Sequence, residues 1–104
     1  MSDPALNSSA LHQLMQQPLS AVLADTSNNL RAGDTVLAFG SHIAGLLDKQ
    51  LQTRLQSLGL HLAALQTDAE SLGLVSACEQ QQVSLLTDSQ WLELTLQHHP
   101  VYTY

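Results

Sequence analysis

Cys78 is the sole thiol of the chain. A nucleophilic cysteine needs a helix N-terminus or a neighbouring cation to lower its pKa. Cys78 instead follows the end of a predicted helix and precedes Glu79. Its expected role is that of a small hydrophobe, with a sulfur acceptor as the sharper alternative. The five histidines stand at positions 12, 42, 61, 98 and 99. A metal centre requires several of them to converge with cysteine or carboxylate; their spacing offers no such set, so neither a metal nor another cofactor is expected. His98-His99 follows the last helical turns, where an imidazolium favours the helix C-terminus. His61 falls inside a predicted strand and is expected to pack or to make one hydrogen bond. A Ser-His-Asp arrangement has no nucleophile-elbow sequence to support it. Gly40-Ser41-His42 lies between an apolar run and a helix start, where free N–H groups can hold an anion. The plainer reading makes Gly40 the turn and Ser41 the cap, and the Gly-Lys-Ser/Thr ending of a phosphate loop is absent.

These residues must be positioned by alternating elements. Residues 1–9 are polar, carry one proline and have no period, so they read as a disordered leader. Residues 10–104 read as one domain. Leu11 to Met15 suit an opening strand that Pro18 ends. Leu19, Val22, Leu23, Thr26 and Leu30 then recur at helical spacing, with Gly33 as the stop. Thr35 to Phe39 form a compact apolar run, as in a strand covered on both faces. Ile43, Leu46, Leu47, Leu51, Leu55 and Leu58 mark the next helix, which Gly45 and the Asp48-Lys49 pair can split. Leu60 to Leu65 give a third strand. Thr67-Asp68-Ala69-Glu70 has the capping-box pattern and opens a helix that Gly73 terminates. Val83 to Leu86 make a fourth strand, and Thr87 or Asp88 caps a final helix running to about Gln97. Such alternation predicts an α/β domain with a mostly parallel sheet of about four to five strands flanked by helices. Ligand loops then fall at the carboxyl ends of the strands: Gln16-Gln17, Gly40-Ser41-His42, Gln66-Thr67 and Thr87-Asp88.

Composition restricts the function classes. Of the 104 residues, 44% are hydrophobic but only 12% are charged, about half the usual share. Lys49, Arg31 and Arg54 face nine acidic residues, and the net charge of -6 has the wrong sign for gripping a polynucleotide. No apolar run approaches the length of a membrane span. The opening Met1-Ser2-Asp3-Pro4 lacks a basic n-region and an apolar h-region, and one cysteine makes no internal disulfide; both favour the cytoplasm. Glutamine, serine and threonine replace the missing charge and tolerate burial against a partner. A core role is the default for Trp91. Val101-Tyr102-Thr103-Tyr104, after Pro100, needs a docking surface in this chain or another. Partner-facing candidates are Ser41, His42, Trp91, His98, Tyr102 and Tyr104.

The ordered series of Leu11-His12, Ala32-Gly33-Asp34 before an apolar strand, Leu65 to Gly73, and Leu94-Thr95-Leu96-Gln97-His98 resembles the TusB/DsrH family from Ala10 to Tyr104. The resemblance implies the DsrE/DsrF/DsrH-like α/β fold and a subunit of a heterohexameric sulfur relay with TusC-like and TusD-like partners. It further implies that persulfide sulfur arrives from a TusA-like donor and leaves through a TusE-like acceptor toward 2-thiouridine at the tRNA wobble position, without this chain touching tRNA. In such a relay the working cysteine belongs to the TusD-like subunit, near the end of its third strand. The matching stretch here, Leu65-Gln66-Thr67, has no thiol, and Cys78 lies beyond the following helix. The resemblance therefore implies a structural subunit without a catalytic residue of its own. Two positions depart from the family: Ser41-His42 replaces a frequent Asp-Gly, and Tyr104 stands where tryptophan is common. DsrH proteins of sulfur-oxidising systems carry a cysteine early in the chain. Residues 10–33 have none, which favours the TusB-like branch over a DsrH-like sulfur-trafficking protein.

Overall fold

A computed structural model describes residues 9–25, 30–98 and 100–104. Most of the expected leader, together with Thr26 and His99, lies outside them. Five strands form one sheet: β1 (Leu11–Leu14), β2 (Thr35–Ala38), β3 (His61–Leu65), β4 (Ser84–Leu86) and β5 (Val101–Thr103). Their spatial order is β4-β3-β2-β1-β5, and every pairing is parallel. Among the described residues six helices connect them: α1 (Leu19–Ala24), α2 (Ile43–Leu46), α3 (Lys49–Ser57), α4 (Gln66–Leu72), α5 (Val75–Gln80) and α6 (Asp88–Gln97). The predicted α/β class is the observed one.

Alternation along the strands sends successive side chains to opposite faces. Leu14, Val36, Ala38, Leu62 and Ala64 meet residues of α1 to α5 in the larger core, including Leu19, Val22, Ile43, Leu46, Leu55, Ala69 and Cys78. Leu11, Leu37 and Ala63 turn the other way and are covered by Phe39, Leu86, and Trp91 and Leu94 of α6. One face thus carries five helices, the other a single helix. Central strands buried on both sides account for the continuous apolar run at Thr35 to Phe39.

Several boundaries differ from the sequence reading. α1 stops at Ala24, with Asp25 already extended at φ -86° and ψ 106°, rather than continuing through Leu30 to Gly33. Asp25, where the helix ends, is a poor helix former, and the rest of the expected helix up to residue 29 lies outside the described residues. Gly33 instead turns the chain into β2 at φ 92°. The expected split of the third segment occurs at Asp48, whose side chain accepts from the Gln50 and Leu51 N–H groups to start α3. Ser41 is not a cap: Gly40–His42 form a 3₁₀ turn with no side-chain cap at all. The capping-box pattern at Thr67 is likewise unused, because α4 already begins at Gln66 and Thr67 lies inside its first turn. At Thr87 the box is complete, with Gln90 as the reciprocal partner. α5 was absent from the sequence reading, so Cys78 lies within a helix rather than after one. The tail, expected only to dock, is strand β5.

Candidate functional site

The order of the strands directs attention to one edge of the sheet. From β1 the chain steps through β2 and β3 to β4, its helices covering one face; α6 then crosses the opposite face to bring β5 beside β1. The order in which strands are added therefore reverses between β1 and β5, although the two are parallel. In open α/β sheets, the crevice outside the carboxyl ends at such a reversal is where ligands sit.

His12, near the amino end of β1, is completely buried. Its Nε2 lies 2.8 Å from Oδ2 of Asp34, and its Nδ1 2.8 Å from the Tyr104 hydroxyl. Asp34 sits just before β2, and its carboxylate also accepts from the N–H groups of Ala10 (2.9 Å) and Arg31 (3.1 Å). Burial alone raises the Asp34 pKa; the hydrogen bonds from His12, Ala10 and Arg31, with the positive charge His12 can carry, outweigh it and hold the carboxyl below its ordinary value. The His12 ring stacks on Tyr102 and Tyr104, at centroid distances of 5.2 and 5.8 Å. Tyr104 is pushed the other way, first by burial and then by Tyr102, Asp34 and Asp25, so its phenol keeps its proton. The carboxylate, imidazole and hydroxyl are aligned as in a relay, yet the hydroxyl at its end is a weak acid made weaker. The arrangement fixes the tail to β1.

On the opposite face Gln13 continues the stitching. Its Nε2 donates to the Thr103 hydroxyl at 3.1 Å, and its Oε1 accepts from the Trp91 indole N–H at 2.7 Å. Trp91 meets Phe39 edge to face at 5.0 Å. Trp91 thus helps to cover the smaller core and locks α6 to β1.

The other candidate loops are structural in their contacts. Gly40, at φ 54°, donates its N–H to Asp68 at 2.7 Å, which ties the β2 loop to α4. His42 donates from Nε2 to the Met15 carbonyl at 3.1 Å, whereas Ser41 is exposed. His98 does not cap α6 with its ring; its Nδ1 lies 2.9 Å from the Ser9 carbonyl and 3.0 Å from the Ser9 hydroxyl. His61 is exposed at the start of β3 and lines a small groove with Thr35, Ser84 and Leu94. Cys78 is fully buried, and burial followed by the charge of Glu79 raises its thiol pKa. The thiolate is doubly disfavoured. The described residues bring no three of His, Cys, Asp and Glu together as a metal would require. No helix among them is long and apolar enough to cross a membrane.

Of the six partner-facing candidates, Trp91 and Tyr104 face inward, and His42 and His98 fasten loops. Tyr102 remains 37% exposed. Sequence reasoning passed over the more prominent surface, Leu92 and Leu96 on α6, which are 61% and 79% exposed. Leu92 borders an apolar groove of about 320 Å³ with Asp88, Trp91 and Thr95. The signal was present in Trp91-Leu92-Glu93-Leu94-Thr95-Leu96, which holds more apolar residues than one buried stripe of a helix can use. His12 and Asp34 were also missed as a pair, because the pairing of β1 with β2 brings them together across 22 positions.

The fold has a counterpart among solved structures. A conserved protein of unknown function from Bacteroides thetaiotaomicron superposes over 100% of both chains with a TM-score of 0.67 at 14% sequence identity. That similarity shows the α/β architecture. No family model and no curated protein matches the chain.

Proposed function

We propose that this chain is a non-catalytic, TusB-like subunit of a heteromeric sulfurtransferase, holding TusC-like and TusD-like partners in a cytoplasmic relay that serves 2-thiolation of the tRNA wobble uridine. The sulfur relay comes from the family resemblance of the sequence. The observation that carries a structural rather than chemical role is the position of Cys78: fully buried in α5, with its thiol pKa raised. Sulfur transfer requires an accessible thiolate. The carboxyl end of β3, where the resemblance puts the working cysteine of a TusD-like neighbour, holds Leu65, Gln66 and Thr67 instead. Leu92 and Leu96 support a partner on α6, since a ridge of exposed leucine is covered in an assembly.

Co-expression with TusC-like and TusD-like chains from the same source tests the reading. Stoichiometric copurification, with tRNA 2-thiolation maintained by a Cys78→Ala variant, is the expected result. A self-sufficient homo-oligomer that ignores both chains overturns it. So does a one-sulfur mass gain on Cys78 after incubation with a cysteine desulfurase and a carrier, which favours the alternative of a sulfur carrier.

A further inference from the structure

A parallel sheet is ordinarily buried on both faces. Five strands about 4.8 Å apart span roughly 20 Å, whereas one helix with its side chains is about 10–12 Å across. Among the described residues α6 alone lies on its face of the sheet, over Leu11, Leu37 and Ala63. Val101, in register with Leu11 and so turned to the same face, is exposed on the outermost strand. The outer side of α6 carries on the apolar layer. Asp88, Leu92 and Leu96 form one row at four-residue spacing, Trp91 and Thr95 form the row beside it, and the apolar groove follows the two. The charges around it restrict what can lie there. Asp88 borders the groove, Glu93 stands exposed on the other flank of the leucine row, and α6 has no basic residue. The three cations of the chain are Arg31, before β2, and Lys49 and Arg54 of α3, a helix of the opposite face. A second copy laid along this groove by its own α6 sets carboxylate against carboxylate with no cation to answer them, an arrangement that interfaces avoid.

We infer that the α6 groove receives a helix of a partner protein, apolar where it meets Trp91, Leu92 and Leu96 and carrying lysine or arginine opposite Asp88 and Glu93. Such a helix lies beside α6 as the second member of its layer and covers the leucine row. The inference rests on the proposed function in taking the partner from a heteromeric assembly, and it specifies what that assembly presents to α6.

The probe is a designed amphipathic helical peptide of leucine and lysine, compared with the same design in leucine and glutamate. Trp91, the sole tryptophan, lines the groove, so its emission and the α6 amide resonances of the full chain report binding. The leucine-lysine peptide is expected to shift α6 saturably and to bind at least about tenfold more tightly than its glutamate counterpart, a reading that needs no variant. Leu92→Gln with Leu96→Gln should weaken that binding about tenfold or more, and Asp88→Lys with Glu93→Lys should remove the preference, in variants that keep the β2 and β3 resonances. Shifts centred away from α6, an equal response to the two peptides, or binding unchanged in either folded double variant overturns the inference, as does self-association of the wild-type chain through α6. No TusC-like or TusD-like chain takes part, so failure here leaves the sulfur-relay reading to its own copurification test. In the copurified complex, a photo-crosslinker placed at Leu96 should capture a helix flanked by lysine or arginine. Capture of a strand or of an acidic segment overturns the inference while the complex stands.

Discussion

The His12 imidazole and the Asp34 carboxylate meet at 2.8 Å in the interior, with side-chain exposures of 0% and 5%. Asp34 also satisfies two main-chain N–H groups, so one carboxylate organises the start of β1, the start of β2 and, through His12, the tail. Removing one partner of such a buried pair costs far more than the pair itself contributes, because the survivor is left unpaired. Asp34→Ala is expected to lower stability by about 3–5 kcal/mol, read as a fall in the urea midpoint with an unchanged slope.

Acid should act through the same group. The folded-state pKa of Asp34 lies below its unfolded value of about 3.9. The ionised carboxylate therefore stabilises the fold above that pH, and this contribution disappears as pH falls through the lower folded value. Urea midpoints between pH 5 and 2 should fall for wild type; a variant with Asp34→Asn starts lower and loses less over that interval.

Alkali should release the tail. The Tyr104 phenol has a folded pKa above its ordinary value, so its contribution is complete below the unfolded pKa and is lost as pH rises through the folded one. Ultraviolet titration of tyrosinate, with hydrogen exchange at Tyr104, should show ionisation and loss of protection together. Tyr104→Phe should abolish the coupling.

Thiol reagents measure the closure of the larger core. Cys78 is expected to react with a disulfide reagent only as fast as the chain opens, while denatured protein reacts at once. Cys78→Ser places a hydroxyl among apolar side chains and should cost about 1–3 kcal/mol, measured by chemical denaturation.

The α6 ridge separates assembly from folding. Leu92→Glu with Leu96→Glu alters exposed positions and should change the stability of the isolated chain by less than about 0.5 kcal/mol each. Copurification with TusC-like and TusD-like subunits should be lost. Retained copurification would assign the partner surface elsewhere.

What was readable in the sequence follows the range of each interaction. Local signals worked: the apolar run at β2, the split at Asp48-Lys49, the Thr87 cap, and the alternation that gave the α/β class. Signals answered by distant residues did not. Thr67 to Glu70 looked like a helix start, but the helix begins at Gln66, and Asp68 within that stretch accepts from the Gly40 N–H, 28 positions away. The tail was open to docking in this chain or another, and what Tyr104 meets is His12, 92 positions away in sequence and 2.8 Å away in space. α5 is six residues long without a side-chain cap, too short for periodicity to mark. No spacing rule links His12 to Asp34, so nothing local marks the pair.

The parallel register of Leu11 with Val101 has a consequence in time. On the ribosome, β1 is made early and can pair with β2 as soon as residues 35–38 emerge, but its other edge must wait for residue 101. Closing so long a loop is slow because its entropy is lost before any contact offsets it. Through that interval the β1 edge offers unpaired N–H and C=O groups to any extended segment nearby. Nascent chains stalled before residue 100 should therefore carry a four-stranded sheet with a sticky flank, a form that chaperones or an early-arriving partner would meet first.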